Sequence, residues 1–150
     1  MPGSLVDMER LFESVRVLVA DDSPLFRQFI SSMLPMRPEY RIICEASDGL
    51  EAVQRVEELQ PDLILLDIGM PNLNGIEVAK RIFQVVPGSK ILFLSVNNDA
   101  DVVGAALYTG AKGYLLKSDA GTEFWPGIEA VLQHKQFLST GVDGRIKFQP

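Results

Sequence analysis

The 150 residues include one cysteine, one histidine and one tryptophan. A single thiol, Cys44, excludes an intramolecular disulfide and a multi-cysteine zinc site. It sits in the apolar run "YRIICEA", where an inert buried thiol is expected. His134 is expected on the polar side of the last helix, exposed to solvent, so histidine-based catalysis has no second member to build on. Basic residues are outnumbered, 14 Lys and Arg against 20 Asp and Glu, and they form no cluster. A nucleic-acid surface needs a basic stripe, so direct binding of nucleic acid by this chain is not expected. No apolar stretch approaches the roughly 20 residues that span a bilayer, which excludes a membrane helix. The first residues lack the charged-then-apolar order of a secretory signal, so a cytoplasmic location is expected.

What the chain does contain is alternation. Short apolar runs at 15–20, 40–46, 63–66, 90–95 and 113–116 read as buried strands. Between them, apolar residues recur at helical spacing: Phe26, Phe29, Ile30 and Met33; Ala52, Val53, Val56 and Leu59; Val78, Ala79, Ile82, Phe83 and Val86. A fourth set is Val102, Val103, Ala106 and Leu107, and a fifth is Phe124, Ile128, Val131 and Leu132. Ser23-Pro24 reads as an N-cap with proline at the first helical position. Asp48 with Glu51 resembles a capping box, Gly110 suits the position after the fourth helix, and Trp125-Pro126 is expected to open the fifth.

Strands recur roughly every 22–27 residues, the length of one βα unit. Five units imply an α/β fold with a five-stranded parallel sheet and helices on both faces. The second strand carries Arg41 and Glu45, which suits an edge, so a flavodoxin-like order 2-1-3-4-5 is expected. Residues 15–139 would form this domain, with 1–14 as an N-terminal flanking segment (a short helical turn within it) and 140–150 as a tail or the start of a linker.

In such a sheet the carboxyl ends of the strands share one rim, where ligands bind. The first strand stops on Asp21-Asp22, the third on Asp67, the fourth on Ser95 and the fifth on Lys117. Taken singly, these residues have ordinary readings: a capped polar turn, a core hydroxyl, a solvated strand-end charge. Taken together, they form a site. Clustered carboxylates without histidine or cysteine suit Mg²⁺, which prefers a partner bearing phosphate oxygens. Lysine and hydroxyl are then phosphate-oxygen partners, and a carboxylate can attack phosphorus to give an acyl phosphate. Asp67 is best placed for that attack, before the loop "IGMPNLNG".

The segments "VADDSP", "LILLDIGMPNLNG", "LS" at 94–95 and "GAKGYLLKS" resemble the receiver domain of two-component response regulators, with its CheY-like fold. "GAKGYLLK" and "QFLS" are most similar to the NarL/FixJ-type subgroup, whose receivers precede a DNA-binding domain that these 150 residues lack. The resemblance implies that Asp67 is the phosphoacceptor for a sensor histidine kinase or phosphotransfer protein. It implies Mg²⁺ ligation by Asp21, Asp22, Asp67 and the backbone carbonyl of Gly69. Lys117 would pair with the phosphoryl oxygens, Ser95 would bond to them after moving inward, and Tyr114 would rotate inward as a switch. Output would pass through the fourth helix, fifth strand and fifth helix to a downstream protein, a DNA-binding domain or a second copy.

The chain departs from the family at Val96, where a small residue is usual and a β-branched one is expected to narrow access to the phosphate. Ser118 replaces the usual proline after the lysine, and a cis bond there is not expected. Two other functions remain open at this point. One is a receiver-shaped scaffold that is never phosphorylated. The other is a Mg²⁺-dependent aspartyl-phosphate phosphatase of the haloacid dehalogenase kind, which would require a D-x-D pattern where this chain has adjacent acids.

Overall fold

A computed structural model describes residues 14–142. Five βα units run in order: β1 (Val15–Ala20), α1 (Pro24–Met33), β2 (Tyr40–Ala46), α2 (Gly49–Leu59), β3 (Leu63–Asp67), α3 (Gly75–Val85), β4 (Ile91–Ser95), α4 (Ala100–Tyr108), β5 (Gly113–Leu116) and α5 (Ala120–Leu132). A sixth strand, β6 (Phe137–Leu138), follows. All pairings are parallel, in the order β2-β1-β3-β4-β5-β6. The expected order holds, and β2 is at an edge.

Strand residues alternate between two cores. Leu18, Ile64, Leu66, Ile91, Phe93 and Tyr114 face α2, α3 and α4 through Val56, Ile82 and Val103. Val17, Val19, Leu65, Leu92, Leu94 and Leu115 face α1 and α5 through Ile30, Phe124 and Ile128. The inner strands β3, β4 and β5 are buried along their whole length, which is why they read as unbroken apolar runs.

The caps follow the local chemistry. Ser23 Oγ accepts the Phe26 N–H at 3.2 Å, with Pro24 opening α1. Asp48 Oδ1 accepts the Glu51 N–H at 2.9 Å, but Glu51 reaches back to the Ser47 N–H rather than to that of Asp48, so the box is offset by one residue. Gly110 follows α4 with φ 106°, a conformation that suits glycine.

Three expectations need correction. Among the described residues the sheet has six strands, because Phe137–Leu138 pairs with Gly113–Tyr114 beyond the last helix. Two residues are too short for any periodicity to reveal, and glycine at 127 lets the Phe137 ring approach α5 closely. Pro126 does not open α5; the helix begins at Ala120 and carries the proline inside it, on the exposed side. The missing N–H forfeits one bond to the carbonyl four residues back, and the buried Phe124, Ile128 and Val131 hold the helix regardless. His134 lies past the end of α5 in a left-handed turn, φ 59°, exposed as expected but not on the helix. Cys44 is half-buried against the core, and burial raises its thiol pKa.

The expected N-terminal helical turn lies outside the described residues. Thr140 and Gly141, expected to belong to the tail, are held by their N–H groups on Glu123 of α5 and on Asp119 just before it. The Ser139 hydroxyl lies 2.5 Å from Asp119 and 3.0 Å from Glu123. Among the described residues no helix is long and apolar enough to cross a membrane.

Two glycines in helices separate close approach from open space. A Cβ on Gly49 would lie 1.9 Å from the Leu73 carbonyl oxygen, whereas one on Gly104 meets nothing within 4 Å. Urea unfolding should show Gly49→Ala destabilised by roughly 1–3 kcal/mol, and Gly104→Ala stabilised by about 0.5–1 kcal/mol.

Candidate functional site: an acidic pocket at the strand ends

Register puts the acids together. Ala20 pairs with Leu66 and Leu66 with Phe93, so Asp21 and Asp67 emerge at the same level of neighbouring strands. Asp21 has no exposed surface and Asp67 is 6% exposed, while Asp22 faces solvent. Carboxylate oxygens of the three lie within 4.8 Å of one another. Lys117, the first residue of a short 3-10 turn after β5, brings its Nζ to 2.8 Å from Asp21 Oδ2 and 3.6 Å from Asp67 Oδ2.

Each acid is also held by a backbone donor. Asp21 Oδ1 accepts the Ser23 N–H at 2.8 Å, and Asp67 Oδ1 accepts the Gly69 N–H at 3.2 Å. Asp21 Oδ2 has no hydrogen-bond partner apart from its ion pair with Lys117. Three carboxylates against one ammonium leave the pocket electron-rich, with an all-oxygen donor set suited to a hard divalent cation.

Ser95 and Tyr114 form a second group beside the acids. Ser95 is buried and its Oγ accepts the Asn97 N–H at 3.0 Å, while the Tyr114 hydroxyl donates to the Asn97 carbonyl at 2.6 Å. Tyr114, with no exposed surface, already lies inside. Neither side chain has a hydrogen bond to Asp67 among the described residues. Asn97 therefore links the two. Burial raises the Tyr114 pKa.

The loop carrying Gly69 is fixed by residues the sequence reading did not single out. The Gly75 N–H donates to the Ile68 carbonyl at 2.8 Å, and a Cβ on Gly75 would lie 2.3 Å from the Asp67 carbonyl oxygen. Asn74 caps α3 through the Ile76 and Glu77 N–H groups. An Asn-Gly pair ahead of a helical pattern was an available signal; Gly49, which braces the same loop, had none. On the other side of Lys117 runs a groove of about 750 Å³, lined by Leu25, Phe26, Phe29, Val96, Lys117 and Ala120. Val96 is 86% exposed at its edge. No cis peptide occurs among the described residues, including at Lys117–Ser118.

Burial, followed by the charge of Asp21, pushes the Asp67 carboxyl up to about 6, against the pull of the Gly69 N–H and Lys117; the charge of Asp22 adds a smaller push upward. A carboxyl held above its unfolded value keeps its proton longer in the native state. Its contribution is full below about pH 4 and is lost as pH rises to about 6. In buffer free of divalent cations, the stability of wild type relative to Asp67→Asn should therefore fall by roughly 2 kcal/mol between pH 4 and pH 7, measured by urea unfolding.

Residues 17–124 match the family described as the response regulator receiver domain. The transcriptional regulatory protein DegU of Brevibacillus brevis is 38% identical over 124 residues, covering 83% of this chain and 52% of that protein. The nitrate/nitrite response regulator NarL of Escherichia coli is 38% identical over 105 residues, 70% of this chain and 49% of that protein. The chain thus spans about half the length of these relatives. Among solved structures, the receiver domain of the putative response regulator NarL from Mycobacterium tuberculosis superposes with TM-score 0.74 at 33% identity, covering 82% of this chain and 99% of that one. A LuxR-family response regulator from Aurantimonas superposes at TM-score 0.82 with 29% identity, covering 87% and 93%. A chain with this sheet order, with an acidic pocket at its strand ends and with these relatives belongs to the receiver domains of two-component response regulators, and its homologues are of the NarL and LuxR type.

Proposed function

We propose that Asp67 accepts a phosphoryl group from a phosphohistidine on a sensor kinase or phosphotransfer protein. An Asp67 carboxylate oxygen attacks phosphorus, the P–N bond to the donor histidine breaks, and an acyl phosphate forms while the imidazole leaves. Asp21, Asp22, Asp67 and the Gly69 carbonyl would hold Mg²⁺, which supplies positive charge to the phosphoryl oxygens when bound. The fit rests on three carboxylates within reach of one another and on Asp21 Oδ2, whose single partner is an ammonium.

Lys117 carries the reading furthest. It is 14% exposed and lies between Asp21 and Asp67, so an anionic oxygen arriving on Asp67 meets a cation already in place. The added charge then competes with Asp21 for that ammonium, and Ser95 offers a hydroxyl one strand away. Ser95, Tyr114 and Asn97 form the element through which charge on Asp67 would reach α4, β5 and α5.

The domain is a signalling switch rather than an enzyme that turns over a substrate, apart from its own phosphotransfer and dephosphorylation. Partners would be a cytoplasmic kinase and a downstream protein, a DNA-binding output domain as in transcriptional relatives, or a second copy. The phosphatase alternative is not favoured, because Asp21 and Asp22 are adjacent and residues 17–124 match receivers throughout. The unphosphorylated scaffold is not favoured either, since every charged member of the site is intact.

Incubation with acetyl phosphate and Mg²⁺ should add one phosphoryl group by mass spectrometry. Asp67→Asn should add none, and withdrawal of Mg²⁺ should abolish the reaction. Lys117→Ala should slow it roughly 100-fold, the loss usual for one charge-stabilising group. Val96→Ala should react faster than wild type, since Val96 flanks the approach to Lys117; equal rates would remove any gating role for that side chain.

A further inference from the structure

We infer that Phe26 is a positioning residue for Lys117, its ring face holding the ammonium between Asp21 and Asp67; the functional part of this inference rests on the phosphoacceptor reading above. The Lys117 Nζ lies over the Phe26 ring, 4.8 Å from its centroid. An ammonium has three donors, and here the carboxylates of Asp21 and Asp67 flank it while an aromatic face closes another side. A ring face attracts a cation without a lone pair that fixes its direction. The ammonium can therefore pivot from Asp21 toward charge on Asp67 without leaving the ring.

The contacts close into a loop. Asp21 Oδ1 accepts the Ser23 N–H, Ser23 Oγ accepts the Phe26 N–H, the Phe26 ring carries Lys117, and Lys117 returns to Asp21 Oδ2. The first turn of α1 thus sets the ring at a fixed height relative to the acid that anchors the lysine. Behind it the ring is braced. Phe26 packs on Phe29 at 5.3 Å between centroids, Phe29 meets Phe124 edge-on at 5.6 Å, and Phe124 meets Trp125 at 5.2 Å. Phe26 is half-buried at the margin of the groove, so it is not there simply to fill a sealed core.

The experiment replaces Phe26 with Leu, with Tyr and with ring-fluorinated phenylalanines, which keep the shape while draining charge from the ring face. Affinity for beryllofluoride with Mg²⁺ and the chemical shift of the Lys117 ε-methylene protons are measured on each protein, together with stability in urea. The inference expects Phe26→Leu to weaken beryllofluoride binding about three- to thirty-fold. Phe26→Tyr should stay within about twofold of wild type, and affinity should fall stepwise with fluorination while stability stays level. In the metal-free protein, the Lys117 ε-protons should show a ring-current shift that Phe26→Leu abolishes and Phe26→Tyr retains. Affinity indifferent to fluorination, or ε-protons unchanged in Phe26→Leu, would overturn it. If wild type itself fails to bind beryllofluoride, the phosphoacceptor reading falls, and the ε-proton shifts alone decide whether the ring holds the lysine.

Discussion

A carboxylate with no exposed surface is costly unless a cation meets it at close range, and Asp21 has Lys117 at 2.8 Å. Removing one partner of such a pair typically costs about 3–5 kcal/mol, because the other charge stays behind unpaired. Most of the site is organised around that contact. Lys117 stands where it does because β5 ends there and a short 3-10 turn follows. Asp67 is then drawn into the same field as a second, looser partner at 3.6 Å. The asymmetry matters, since a lysine bound more closely to the acid that anchors it than to the acid beside it can respond to new charge on the latter.

The two faces of the sheet serve this arrangement differently. α1 and α5 cover one face, and their aromatic contacts run from Phe26 beside Lys117 to Trp125, where Arg37 lies over the indole at 4.1 Å and Tyr40 packs at 5.1 Å. The other face, under α2, α3 and α4, holds Tyr114 and the loop after β3. Glycines at 49 and 75 let backbone approach backbone there, which leaves residues 68–74 little freedom around Asp67. A rigid setting suits a group whose chemistry depends on position to a fraction of an ångström.

Ser95 and Tyr114 are joined through a residue between them, Asn97. Strand-end position and family resemblance had tied the serine to the phosphoryl group after an inward movement, and resemblance had made the tyrosine a switch behind it. In the folded chain they share the backbone of Asn97, the serine accepting from its N–H and the tyrosine donating to its carbonyl. The segment 96–99, which leads into α4, is thereby held between a strand end and a buried ring. The Ser95–Asn97 bond thus connects the pocket to the start of α4.

The alternation of apolar runs and helical spacing determined the class of fold, because short apolar runs between amphipathic helices bury themselves as parallel strands. The charged Arg41 and Glu45 marked the edge from which the strand order followed. Strand ends carrying Asp21, Asp22, Asp67 and Lys117 were legible for the same reason: charged residues interrupt apolar runs abruptly, and parallel strands present their ends on one side. Tertiary structure alone decided what local pattern could not encode. It supplied β6, two residues long and held by a space beside glycine; the continuation of α5 through Pro126, carried by the buried side chains around it; and the placement of Phe26 beneath Lys117. Phe26 had read as one more apolar position on a helix. Whether such a residue fills a core or faces a cation depends on what another strand, far along the chain, brings to the same point in space.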